Sequence, residues 1–235
     1  MLILSRTSVA ALASVLFVWL LPAQLAGADE PAAKAPATAA PTTTTATTQV
    51  KVTTSMGEFV IEVRADRAPI TAVNFLRYVR EGFYSNTLFH RVIANFVIQG
   101  GGYDATTLVP KPTHDPVFNE SGDGLQNKRG AVGMARGDVP HSGNAQFFVN
   151  LVDNPDLDPV PTRWGYCVFG RVLQGMDVID RIGETATGAS GPWKADAPLK
   201  PVIIQKMEIV SPAANVSAPA TPVTPNPQST ILSPK

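Results

Sequence analysis

A chain of 235 residues with 19 basic and 19 acidic side chains carries no net charge, so no cationic surplus argues for nucleic acid or an anionic membrane as a partner. Its single cysteine, Cys167, excludes an intramolecular disulfide and a cysteine metal cluster. Both ends are poor core-forming material, which leaves about 160 residues, the size of one ordinary domain.

Residues 1–28 read as a secretory signal: Arg6 supplies positive charge, 9–21 a short apolar core, and Ala26-Gly27-Ala28 the small-residue cleavage pattern. The mature chain would begin at Asp29. The apolar stretch is short and is soon followed by Pro22 and Gln24, which argues against a stable membrane span after cleavage; an uncleaved anchor is the alternative. Residues 29–49 form an Ala/Pro/Thr linker that cannot bury enough apolar surface to order itself. The same composition returns at 211–235, so both segments are expected to be disordered, the first serving as a tether or spacer.

From Val50 the composition becomes globular. Runs at 50–54 and 59–63 around Gly57 predict a β-hairpin that starts an antiparallel sheet. Proline after Ala68, the apolar series Ile70, Val73, Leu76 and Val79, and the stop at Gly82 predict a helix over 69–81 that plugs one end of the sheet. Strands follow at 88–93 and 96–99, the second ending on Gly100-Gly101-Gly102, then a Pro/Gly-dotted surface loop over 103–128. Further strands are expected at 131–134, 146–150, 166–172 and 202–210, with a short second helix at 176–182. Many short strands with two separated helices predict a mostly β fold: a closed antiparallel barrel of about eight strands capped by two helices, spanning 50–210.

Within that frame the stretch 89–102 stands out. Apolar, β-branched residues set a strand rhythm that His90, Arg91 and Gln99 interrupt, and charged or amide groups in strands are costly to bury without partners. This segment, with the runs Gly130-Ala131-Val132-Gly133-Met134-Ala135-Arg136, Ala145-Gln146-Phe147-Phe148-Val149 and Gly165-Tyr166-Cys167-Val168-Phe169-Gly170, resembles the cyclophilin family of peptidyl-prolyl cis/trans isomerases over residues 50–210. The bacterial exported members are the most similar.

The resemblance implies acceleration of X–Pro isomerisation in proline-containing polypeptides; together with the signal at 1–28, the expectation is a periplasmic or secreted monomer acting on exported proteins. No cofactor or metal is implied. The chemistry needs no nucleophile; a catalyst must weaken amide resonance or bind the twisted amide better than either planar form. A guanidinium aimed at the prolyl nitrogen does the first, and Arg91 is the candidate, with Gln99 and Phe96 beside it as catalytic residues. The resemblance assigns the proline-ring floor to Phe96, Val97, Phe148 and Leu157, and the path of the substrate backbone to Ala135, Arg136, Gln146 and Tyr166. Strand alternation requires Phe147 and Phe148 to face opposite ways without saying which faces inward; the match to the Gln-Phe-Phe motif puts Phe147 in the core. His90, His114 and His141 show no ligand spacing, and Cys167 in its apolar run reads as an inert buried thiol. The same groove on a passive scaffold would make a proline-segment binding module with little catalysis, the alternative reading.

Three positions depart from the common eukaryotic pattern: Asp156 stands where a tryptophan commonly precedes Leu157, Tyr166 where a histidine is common, and Arg136 where an asparagine is common. The last two are choices similar to those of bacterial members. The missing tryptophan predicts weak cyclosporin binding; titration calorimetry checks this, and a tight complex would contradict it.

Overall fold

The computed structural model describes residues 47–210. The signal assigned to 1–28, the linker up to Ala46 and the tail at 211–235 lie outside the described residues. Two residues given to the linker, Thr48 and Gln49, already belong to the first strand, paired with Val63 and Glu62.

Strand β1 (Thr48–Thr54) turns through Ser55 and Met56 into β2 (Gly57–Val63). The turn is tied by the Thr54 hydroxyl, which donates to Gly57 O at 2.7 Å and accepts from Met56 N at 3.0 Å. Helix α1 (Pro69–Arg80) follows, then β3 (Thr87–Ile93), β4 (Val97–Asp104), β5 (Ala131–Met134) and β6 (Phe147–Asn150). A single 3-10 turn (Pro155–Leu157) precedes β7 (Val168–Gln174) and helix α2 (Met176–Gly183). A hairpin of β8 (Thr187–Ser190) and β9 (Trp193–Pro198) then leads to β10 (Ile203–Val210). Eight strands close into an antiparallel barrel in the order β1-β10-β3-β4-β6-β5-β7-β2, while β8 and β9 form a separate two-stranded sheet.

Strand alternation fills the barrel. Val50 and Val52 from β1, Phe59 and Ile61 from β2, Ile98, Phe147, Phe169 and Ile204 are all at most 1 % exposed. Phe75 of α1 seals this core, its ring 4.9 Å from Phe169 and 6.0 Å from Phe147. Cys167 lies in the same core, 3.4 Å from the Thr71 hydroxyl, and burial pushes its thiol up to about 12.

Four expectations need correction. The helix does not bury the series at 70, 73, 76 and 79: Ile70 and Val73 are exposed, and the inward face carries Ala72, Phe75, Leu76 and Val79. A step of three residues falls about 60° short of a full turn, so a strict three-residue series drifts around the helix. The triple glycine does not end β4, which runs on to Asp104. Gly101 sits mid-strand at φ +82, and at Gly102 a side chain would collide with Gln146. Tyr166 precedes β7 rather than opening it. Finally, the β8–β9 hairpin fills a stretch that carried no expected element.

Helix α1 has no side-chain cap of its own at Ala68. The cap comes from the long loop: Glu120 accepts from Ile70 N at 3.1 Å, Thr71 N at 2.7 Å and the Thr71 hydroxyl at 2.7 Å. A carboxylate there satisfies free amides and meets the positive end of the helix dipole. Glu120→Ala is therefore expected to cost about 1 kcal/mol, read as a melting point about 2–4 °C lower; an unchanged melting point would remove the cap from the account.

Candidate functional site

A one-residue irregularity places the key side chain. Phe89 pairs with Gly100 and Arg91 with Gln99, so two residues of β3 oppose one of β4 and His90 is the extra one. Such a bulge bends the strand and re-aims its side chains. Phe89 and Val92 both point into the core, an arrangement strict alternation forbids, and His90 and Arg91 are left between them on the outer side.

The ladder then lines up a row across four strands. Arg91 sits opposite Gln99, Gln99 opposite Phe148, and Phe148 opposite Gly133. Directly opposite residues share a sheet face, and so do residues two apart. Val97, Gln146 and Ala135 therefore join this outer face. At Gly133 a side chain would strike the Phe148 ring, so glycine leaves the space in which that ring lies.

Around the row is a small apolar cluster separate from the barrel core: Val97, Ala135 and Phe148, with Phe96, Leu157 and Tyr166 packed against them. Phe148 and Tyr166 meet edge to face with centroids 5.8 Å apart. Phe147 is in the barrel core at 0 % exposure, so the two phenylalanines divide as the motif implied. Beside this cluster lies a polar hollow of about 260 Å³ lined by Gln99, Ala135, Arg136, Gly137, Ser142, Asn144 and Gln146. Gln99 Nε2 donates to Gln146 Oε1 at 3.1 Å, which fixes both amides over the hollow.

Two arginines border the groove and differ in how they are held. Arg136 is engaged: it donates to the carbonyls of Gly137 at 2.8 Å, Trp164 at 3.0 Å and Gly165 at 3.3 Å, and lies 4.5 Å over the Tyr166 ring. It walls the groove and braces its loops. The only ion pair of Arg91 among the described residues is with Asp196, Nε to Oδ2 at 3.7 Å, and 40 % of its side chain is exposed.

Sequence reasoning missed the amides beneath the cluster. Asn150 and Asn154 are buried, with Asn154 Nδ2 donating to Asn150 Oδ1 at 2.7 Å and to Phe96 O at 3.0 Å. Asn127 receives nothing from solvent at 1 % exposure; it donates to Asp158 Oδ1 at 2.8 Å and reaches Tyr166 O at 3.4 Å. These bonds hold the backbones of Phe96, Tyr166 and the 3-10 turn in place. The signal was present, since an amide next to an apolar strand run is the same exception that drew attention to Gln99.

His90 is 6 % exposed, packed between Tyr103 at 4.6 Å and Trp193 at 5.8 Å, and its Nδ1 has no hydrogen-bond partner among the described residues. Burial, aided by the nearby Arg91 charge, lowers its pKa to about 4. It is a neutral packing group at neutral pH. A larger cleft of about 790 Å³ lies elsewhere, between α1 and the 113–117 loop. It gathers no comparable row of Arg, Gln and aromatic groups, so the site follows chemistry rather than cavity size. Among the described residues no cluster of three His, Cys, Asp or Glu side chains has metal-binding geometry.

An eight-stranded barrel with an outer row of arginine, glutamine and aromatic side chains defines a class, and comparison with known proteins agrees. The family profile described as "Cyclophilin type peptidyl-prolyl cis-trans isomerase/CLD" matches residues 49–209. Peptidyl-prolyl cis-trans isomerase B of Escherichia coli (strain K12) is 49% identical over 159 residues, covering 66% of this chain and 96% of that protein. The isomerase cyp18 of Streptomyces antibioticus is 46% identical over 164 residues, covering 68% and 98%. A crystal structure of a Cryptosporidium parvum cyclophilin type isomerase superimposes with a TM-score of 0.60 at 25% identity, covering 71% of this chain and 99% of that one. The chain belongs to the cyclophilin-type peptidyl-prolyl cis-trans isomerases, and its activity is the cis–trans isomerisation of peptidyl-prolyl bonds.

The buried imidazole sets an acid limit. Folded His90 takes its proton only near 4, against an ordinary 6.5, so the unfolded chain binds more protons between those values. Stability from this group is therefore full above pH 6.5 and falls as the pH drops toward 4, by about 2–3 kcal/mol. Replacing the ring by another, His90→Phe, is expected to flatten that part of the profile in urea unfolding at pH 7 and 4.5; equal slopes in both proteins would refute it.

Proposed function

We propose that Arg91 assists the amide twist while the cluster of Phe96, Val97, Ala135, Phe148, Leu157 and Tyr166 receives the proline ring. The observation that carries this reading is the row Arg91, Gln99, Phe148: a cation and an amide beside an apolar floor, on one face of adjacent strands. X–Pro exchange is slow because the amide is conjugated, with a barrier of roughly 18–20 kcal/mol. Twisting the bond out of plane restores a lone pair on the prolyl nitrogen, which only then accepts a hydrogen bond. A donor aimed there binds the twisted form better than either planar form, and that difference is the catalysis.

The apolar floor holds the ring while the rest of the chain rotates. Gln99 and Gln146 offer amide donors and acceptors to the substrate backbone along the hollow, with Ala135 and Arg136 forming its wall. A related cyclophilin from Cryptosporidium parvum was crystallised in the presence of the dipeptide ala-pro, 26% identical to this chain with a TM-score of 0.60.

The substrates proposed are proline-containing segments of exported proteins. The support is the signal-like composition of 1–28, followed by the Ala/Pro/Thr-rich stretch that precedes β1 and the Pro/Ser/Thr-rich 211–235. On this reading the enzyme is a periplasmic or secreted monomer. Weak cyclosporin binding belongs to the same reading: Asp156 is exposed, and Trp164 packs against Phe118 and His141 instead.

The test compares residues 47–210 with the same segment carrying Arg91→Ala, in exchange NMR or a protease-coupled assay on an Ala-Pro peptide. Removing a donor of this kind costs about 100-fold or more in turnover, with peptide binding largely retained. Full turnover in the variant would overturn the role of Arg91; binding without turnover in both proteins would leave a proline-segment binder.

A further inference from the structure

The β8–β9 hairpin stands outside the barrel, and β9 lies against β3, the strand that carries Arg91. Its contact with the barrel is specific. Trp193 meets Tyr103 edge to face at 5.2 Å and lies beside His90 at 5.8 Å, while Ala197 and Pro198 are buried at the hairpin's end. Between these anchors, Asp196 adopts φ +60, a left-handed conformation that L-residues seldom take. An outlier of this kind persists only where the surroundings over-determine it. The residue in it is the one that puts a carboxylate 3.7 Å from Nε of Arg91.

That distance exceeds a hydrogen bond, and both side chains are about 40 % exposed, Arg91 at 40 % and Asp196 at 43 %. The carboxylate therefore attracts the guanidinium without locking it. It does so at the Nε edge, and among the described residues no hydrogen bond engages the two terminal amino groups. An arginine on an outer strand face with no other anchor would otherwise sample several rotamers in the empty groove.

We propose that Asp196 is a positioning residue for the isomerase: it restrains Arg91 through Nε so that both terminal amino groups remain available to the substrate carbonyl and the prolyl nitrogen. The proposal rests on Arg91 being the group that assists the twist. The hairpin's contribution is then to deliver one carboxylate to the back of the catalytic cation, an arrangement the barrel alone does not contain. Because the pair is half-exposed, its effect is modest and sensitive to salt.

Asp196→Asn is the informative variant, since asparagine tolerates the left-handed backbone and keeps the shape while removing the charge; Asp196→Gly, equally free at that φ, is the second. Both are expected to melt within a few degrees of the parent and to lower kcat/KM by about two- to fivefold at low salt, the range of exposed ion pairs. The deficit should shrink as ionic strength is raised. In an Arg91→Ala background the Asp196→Asn change should have no further effect, because nothing remains to be positioned. An unchanged kcat/KM in both variants, with Arg91→Ala still impaired, overturns the positioning role alone. The same fractional loss with and without Arg91 also overturns it, since the effect would then pass through the fold. Full activity in Arg91→Ala removes the guanidinium reading and this one together.

Discussion

The site depends on the extra residue at His90. Without that bulge, the alternation of β3 would put Phe89 and Arg91 on the same side, and the barrel core would hold a guanidinium. With it, Phe89 and Val92 fill the interior while Arg91 emerges beside Gln99. The polar side chain that replaces it in the packing scheme, His90, must then be covered, and the β8–β9 hairpin covers it with Trp193. Bulge, buried imidazole and hairpin form one linked solution to the problem of presenting a cation from a barrel strand.

The groove itself is assembled by small residues and amides rather than by a deep cavity. Gly133 makes room for the Phe148 ring and Gly102 for the Gln146 side chain, so that aromatic and amide lie on the same outer face. Asn127, Asn150 and Asn154 then fasten the loops that carry Phe96, Leu157 and Tyr166. Buried amide networks of this type are costly when incomplete and rigid when satisfied. The outer apolar cluster is therefore preformed.

Much of this was legible before any coordinates. The period of two in 50–54 and 59–63 reports strands because alternate side chains see opposite environments, and the barrel followed from many short apolar runs of this kind. Arg91, Gln99 and Phe148 were legible as exceptions to that rhythm or by family likeness. The order of their pairing was not, because the bulge at His90 is a property of two strands together. The hairpin at Thr187–Pro198 was missed since Thr, Gly, Ala and Ser with scattered charges give no alternation. Its stability comes from tertiary contact with β3. The helix is legible, but a strict three-residue series drifts about half a turn between 70 and 79, which leaves Ile70 and Val73 outside.

The state of Cys167 matters wherever a substrate brings sulfur of its own. A proline-containing substrate can carry cysteines of its own. The single cysteine lies in the barrel core beside Thr71, with the thiol held in its protonated form by burial. Exchange with a substrate's disulfide begins with a thiolate, and the folded domain offers none. The protein can therefore act on the prolines of a substrate without entering that substrate's sulfur chemistry.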